Sequence, residues 1–138
     1  MISFINLELL KDELLPYSIS WLIEDRVIQL TATGVVTEYE LRSLLEDCSR
    51  LSQQGTKPVY SIVDSLDMRR ASFGVDTLRR VAGMRSQHEL VVVVASNMLL
   101  ISLAQAAARI FGQRVVVTAT VDEAKLTITQ HDPSIQFS

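Results

Sequence analysis

The chain has 138 residues, of which 48% are apolar and 21% are charged, and its formal net charge is −3 at pH 7. This length suits one domain with a sizeable core, and the composition is far from that of a disordered chain. The small negative charge argues against nonspecific binding to nucleic acid, which depends on an excess of Lys and Arg.

Because Cys48 is the only cysteine, the chain cannot form an intramolecular disulfide. The first residues lack the basic segment, uninterrupted apolar run and small-residue cleavage site of a secretory signal. The most apolar stretch, residues 90–108, is interrupted by polar residues and is typical of a strand followed by a helix. We therefore expect a cytoplasmic protein with no membrane span.

The predicted elements begin with a β-hairpin. Residues 1–16 are interpreted as an N-terminal appendage, because a proline separates them from the first strand. Residues 17–23 alternate in the manner of a strand, and residues 26–33 form a second β-rich run after a short turn. We expect these two strands to pair and Gly34 to end the second one.

The first predicted helix starts after Thr37. Thr37 and Glu40 have the spacing of a capping box, in which each side chain satisfies a free backbone N–H group. Apolar side chains then recur at three- and four-residue intervals from Leu41 to Leu51, and Gly55 can supply the left-handed residue that often ends a helix. The pattern predicts a helix with one face on the sheet.

Strands and helices alternate along the remaining chain. The predicted strands and helices are residues 59–63, 75–84, 90–95, 97–111, 115–117 and 121–129, in alternating order. Alternation implies parallel strands joined by crossover helices. The run LVVVV at residues 90–94 has no polar face and is predicted to be the middle strand, covered on both sides. We expect one α/β domain over residues 17–138, with a mixed, mostly parallel sheet of about five strands and about four helices.

This order of elements resembles the STAS family, the fold of bacterial anti-sigma-factor antagonists, over roughly residues 17–130. The matching stretches are YSISW at residues 17–21, VYSIVD at residues 59–64 and the predicted loop that follows to Ser72-Phe73-Gly74. Uncharacterised SpoIIAA-like bacterial proteins are similar in their Asp-ended third strand. The resemblance implies a SpoIIAA-like (STAS) fold. Its functional implication is broad, because such domains serve as phosphorylatable switches, transporter tails, stressosome parts and ligand sensors.

The resemblance also implies a phosphorylation switch at Ser72. In the family's antagonists an Asp-Ser-Ser-Gly-like motif starts the second helix, and a partner kinase phosphorylates a serine in it. Here Ser72 and Gly74 match, whereas Ala71 and Phe73 replace the aspartate and the other serine. A helix N-terminus and nearby arginines would favour a phosphate there. The alternative is that Ser72 simply caps the helix.

A partner-binding surface is predicted around the end of the third strand, where open α/β sheets tend to bind ligands. Its residues are Asp64, Asp67, Arg69, Arg70, Gly74, Arg79 and Arg80. The basic side chains fit an acidic partner, a bound anion or a head-to-tail self-contact, or form a solvated face. The two aspartates lack the further acidic residues and the lysine of a receiver-like site, so turn and cap roles suit them better.

The predicted helix at residues 97–111 has more apolar surface than one sheet requires, because Met98 and Ile101 fall outside its sheet-facing stripe. We interpret Met98 and Ile101 as a self-association surface that makes a homodimer. Cover by the N-terminal appendage and a ligand groove are the alternatives.

No catalytic or metal-binding pattern is recognisable. His88 and His131 are far from other ligand types, Cys48 has no activating base nearby in sequence, and glycine-rich phosphate loops are missing. We expect no metal, no cofactor and no enzyme activity. The predicted function is a non-catalytic regulatory domain that binds a kinase-like or sigma-regulator-like protein. The alternative is a small-molecule or lipid sensor with an apolar pocket between the sheet and the helices.

Overall fold

The computed structural model describes residues 16–84 and 88–138 and shows an α/β fold on a mixed sheet. The strands are β1 Tyr17–Ile23, β2 Val27–Thr37, β3 Tyr60–Ser72, β4 Leu90–Val94 and β5 Val115–Thr118. The helices are α1 Glu38–Gln53, α2 Val75–Val81, α3 Met98–Phe111 and α4 Val121–His131, and a 3₁₀ turn, Ala82–Met84, follows α2. The predicted class is confirmed at this level. Apart from Pro16, the predicted N-terminal appendage lies outside the described residues.

The strands follow one another across the sheet in the order β1-β2-β3-β4-β5. Strand β1 is antiparallel to β2, which confirms the hairpin, and the remaining neighbours are parallel. The prediction that residues 90–94 form the middle strand is wrong, because the middle strand is β3. Each crossover adds the next strand on the same side of the sheet, so β4 has a neighbour on both sides but is not the central strand. The apolar run therefore identifies an interior strand and not the middle one.

Strand β2 does not end at Gly34 as predicted, but continues to Thr37. Gly34 has φ 62°, and the β2–β3 register shifts between Gly34 and Val35. A left-handed residue at such a shift bends a strand at a bulge without ending it. The glycine therefore marks an irregularity inside the strand.

Strand β3 is much longer than the predicted residues 59–63. Its pairing with β4 stops at Asp64, opposite Val94, while its pairing with β2 continues to Ser72, opposite Thr37. Residues 33–37 of β2 and 66–72 of β3 thus form a two-stranded extension, here called the β-arm. The segment predicted as a loop after Asp64 is mainly this arm.

The two faces of the sheet are covered differently. Helix α4 packs on one face in a core that includes Ile62, Val92 and Ile128, all fully buried. Helix α1 covers the other face, where Leu44 and Cys48 pack against Leu30 and its neighbours in β2. Helices α2 and α3 lie on this second face beside α1. The second face carries the candidate site.

The start of α1 is as predicted, and its end is not. Thr37 and Glu40 form the capping box, since the Thr37 side chain accepts from Glu40 N and the Glu40 side chain accepts from Thr37 N. Gly55 does not supply a left-handed residue; among the described glycines only Gly34 and Gly112 have positive φ. A Cβ atom on Gly55 would lie 2.7 Å from Trp21 Cη2, so glycine is needed because the position has no room for a side chain.

Candidate functional site

A cavity of about 240 Å³ lies between the second face of the sheet and helices α1, α2 and α3. Strands β2 to β5 supply its floor, with Leu30, Val63, Val93 and Val115 among the lining residues. Alternation along β4 separates the faces: Val92 and Val94 are fully buried under α4, whereas Val93 is only half-buried. The cavity therefore lies on the face of the sheet opposite α4.

The cavity exists because α2 is packed on the neighbouring helices. The buried side chains of α2, Leu78 and Val81, join a cluster made of residues from α1 and α3, with Phe73 and Met84 at its margins. This cluster forms a roof above the sheet. Helix α3 contributes the small side chains of Ala104, Ala107 and Ala108 to the lining. These alanine side chains are too short to fill the space between the helices and the sheet.

One end of the cavity is polar. The Ser61 hydroxyl is hydrogen-bonded to His88 Nδ1, and both residues are buried. The Gln113 side chain holds the His88 backbone in place, because Oε1 accepts from His88 N at 3.0 Å and Nε2 donates to His88 O at 2.8 Å. Since β3, β4 and β5 all begin near these residues, the polar end lies at the amino end of the parallel strands.

The titratable groups among the described lining residues, His88 and Cys48, are neutral near pH 7. Burial lowers the pKa of His88 to about 4 and, together with nearby Asp47, raises the pKa of the Cys48 thiol to about 12. The lining residues that the structure describes include no Lys, Arg, Asp or Glu. The site therefore offers apolar surface and a few neutral hydrogen-bonding groups.

The predicted partner-binding surface is spread over the β-arm and α2. Asp64 Oδ1 accepts from Leu66 N at 3.2 Å, a local turn-like role within the strand. Asp67, Arg69 and Arg70 lie exposed on the arm, and neither arginine has an ion-pair partner among residues 16–84 and 88–138. These arm residues are near one another along β3.

The basic side chains of α2 are engaged. Arg80 pairs with Glu38 of α1, and this contact, with a hydrogen bond from Thr77, lowers the pKa of Glu38. Arg79 pairs with Asp76 at 3.3 Å. The two arginines of α2 therefore serve contacts inside the molecule.

Ser72 is the last residue of β3, and its side chain is exposed. The alternative that Ser72 caps the following helix is wrong, because the N-cap of α2 is Gly74, which has no side chain to cap with. The switch role of Ser72 stays a prediction.

The predicted self-association surface is exposed only in part. Met98 is 72% exposed and its neighbour Leu99 is 80% exposed, whereas Ile101 is half-buried. Asn97 caps α3, with Oδ1 accepting from Leu99 N at 2.8 Å, and so fixes where this patch begins. Self-association through Met98 and Ile101 stays a prediction.

The sequence reasoning missed Ser61 and His88. One signal was available: Ser61 is a polar residue in the strand sequence VYSIV, on the same face as Val63. The contact to His88 joins residues 27 apart along the chain, and no spacing rule predicts it.

No family model, curated protein or solved structure matches this chain. Within the described residues, no group of three or more His, Cys, Asp and Glu side chains is placed to hold a metal ion. No described helix combines the length and apolar character needed to cross a membrane.

Proposed function

We propose that this chain is a non-catalytic, ligand-sensing regulatory domain that binds a small, mainly apolar molecule in the cavity between the sheet and helices α1–α3. The observation that carries this proposal is the cavity itself, with its apolar lining and the single polar cluster at one end. Ligand sites in proteins have this construction, in which apolar walls supply affinity and a few polar groups supply orientation.

The size of the cavity supports a ligand. Its volume of about 240 Å³ exceeds the roughly 150 Å³ of an engineered apolar cavity that takes up benzene. Apolar side chains that line unfilled space lack packing partners, so an apolar occupant that binds only the folded chain would stabilise it.

The chemistry of the polar end supports binding over catalysis. A general base works best when its pKa lies near the working pH, whereas the pKa of His88 is about 4. The Ser61–His88 pair is therefore a poor proton acceptor, and its proposed role is to hold a polar group of the ligand.

We also propose that the fold is SpoIIAA-like, on the support of the hairpin followed by alternating parallel strands and helices.

The test is native mass spectrometry of the protein isolated gently from its own host. We expect a stoichiometric bound molecule in the natural protein and its loss in Ala104→Leu, which fills the cavity from α3. Gln105→Leu is the matched control, because residue 105 is exposed on the same helix and does not line the cavity. The bare chain mass, with no thermal shift across a panel of small apolar compounds, would overturn the proposal.

A second candidate function is recognition of a protein partner by the β-arm, with Ser72 as a phosphorylation switch. Three features support it: β3 has no β4 partner beyond Asp64, Ser72 is exposed, and Arg69 and Arg70 are the arm's exposed cations. An open strand edge beside exposed cations suits an extended acidic segment of a kinase-like or sigma-regulator-like partner.

The same mass spectra test the second candidate. A phosphate adduct should appear on the host-isolated protein, disappear in Ser72→Ala and persist in Ser18→Ala, which removes an exposed serine of β1. Failure to find phosphate at Ser72 under any growth condition would remove the switch.

A further inference from the structure

The polar groups of the cavity differ in what they have left to offer a ligand. The Ser65 hydroxyl donates to the Val94 carbonyl at 2.7 Å, so its hydrogen is used. The Gln113 amide is used by backbone groups, accepting from His88 N and donating to His88 O and to Arg114 O. Ser61 supplies the remaining hydroxyl of the described lining, and this hydroxyl is hydrogen-bonded to His88 Nδ1.

We infer that the molecule bound in this cavity carries an uncharged hydroxyl group on an apolar body, and that Ser61 binds this hydroxyl. The inference rests on the proposed function and names its ligand class. Ser61 lies at the amino end of β3, a rigid position in the middle strand of the sheet. Residues on strands hold a ligand group more precisely than residues on loops.

A hydroxyl is the group that suits both states of the Ser61–His88 pair. A serine hydroxyl has one hydrogen to donate and two lone pairs that accept. If Ser61 donates to His88 Nδ1, its lone pairs remain for a ligand donor; if Nδ1–H donates to Ser61, the serine hydrogen remains for a ligand acceptor. A ligand hydroxyl can donate or accept and so satisfies either case, whereas a carbonyl satisfies only the second.

The ligand group is inferred to be uncharged because the described lining offers no charge to balance it. The described lining lacks Lys, Arg, Asp and Glu. An ionised group buried without a partner loses its hydration and gains nothing in return. Fatty carboxylates and amines are therefore disfavoured, and alcohols or phenols with a compact apolar body are favoured.

The experiment compares three probes that share one fused-ring body: naphthalene, naphthol and naphthoate, titrated calorimetrically into the full chain near pH 7. We expect naphthol to bind most tightly, naphthalene more weakly and naphthoate least. Ser61→Ala should weaken naphthol binding by roughly five- to tenfold, the loss of one neutral hydrogen bond, and leave naphthalene unchanged. Ser65→Ala is the matched control, since this serine also lines the cavity from β3 but lies four residues further along the strand, away from His88. A larger loss of naphthol affinity in Ser65→Ala than in Ser61→Ala would overturn the Ser61 anchor.

The outcomes separate the inference from the function on which it rests. Equal affinities of naphthol and naphthalene for the natural protein would overturn the Ser61 anchor while leaving an apolar site in place. Tighter binding of naphthoate would overturn the uncharged class. If none of the three probes binds, both the inference and the proposed function fail. The comparison of probes on the natural protein keeps the test valid even if Ser61→Ala does not fold.

Discussion

Gly55 is required by its surroundings, although its backbone conformation is one that other residues adopt. A Cβ atom there would lie 2.7 Å from Trp21 Cη2 and 2.9 Å from both the Asp25 carbonyl oxygen and Val59 Cγ2. One of these contacts is backbone at the β1–β2 turn, where Asp25 itself has φ 65°. The backbone at Gly55, after α1, therefore packs so closely on the hairpin turn that there is no room for a Cβ atom.

We predict that Gly55→Ala lowers the free energy of unfolding by about 1–3 kcal/mol, because overpacking forces the turn or Trp21 to move. Urea denaturation followed by circular dichroism measures the change. Gly83→Ala is the control, since a Cβ at that exposed position meets nothing within 4 Å and needs no positive φ. Equal losses in the two variants would show that crowding at residue 55 is unimportant.

At the scale of the secondary-structure elements, the type of each described strand and helix was predictable from local patterns. The capping box fixes the start of α1, and the apolar run LVVVV identifies β4, because both signals depend on neighbouring residues alone. The β-arm was missed for the opposite reason. Asp64, Asp67 and the arginines of β3 resemble a loop in sequence, and only pairing with β2 extends them into a strand.

The candidate site was predictable only in outline. Met98 and Ile101, outside the sheet-facing stripe of α3, indicated surplus apolar surface, which raised a ligand groove as one alternative. The cavity itself lies among side chains of the sheet and of three helices, where Leu78 and Val81 of α2 pack on α1 and α3. Such contacts join distant parts of the chain, so residue periodicity does not contain them.

At the scale of the whole molecule, titratable groups on both faces of the sheet link its stability to pH. Tyr60 donates to Asp132 at 2.9 Å, and Arg26 pairs with the same carboxylate, joining the sheet to the C-terminal segment. Hydrogen bonds from Ser134 and Tyr60 lower the pKa of Asp132. On the opposite face, burial holds His88 neutral.

We predict that stability falls as the pH decreases from 6.5 to about 4, in part because of His88. Its pKa drops from an ordinary 6.5 to about 4 on folding, so over this range the unfolded chain binds a proton that the folded chain does not. Stability decreases with falling pH wherever the unfolded state binds more protons, and the full effect of this residue is about 3 kcal/mol. Urea denaturation across this pH range measures it.

The matched variant for this prediction is His88→Asn. An amide can keep a hydrogen bond to Ser61 and does not titrate, while the contributions of Asp132 and Glu38 remain in both proteins. The curve of the variant should therefore be flatter between pH 6.5 and 4 than that of the natural protein. Parallel curves would mean that His88 takes up its proton equally well in the folded state.

The one-sided cavity also decides how this protein responds to hydrostatic pressure. Unfolding eliminates internal voids, so pressure favours the unfolded state in proportion to the void that the folded state retains. The cavity of about 240 Å³ lies on the face covered by α1–α3, whereas the α4 face has a core of fully buried side chains. Compression should loosen the α1–α3 face first, and a bound alcohol, by occupying the void, would make the molecule resistant to it.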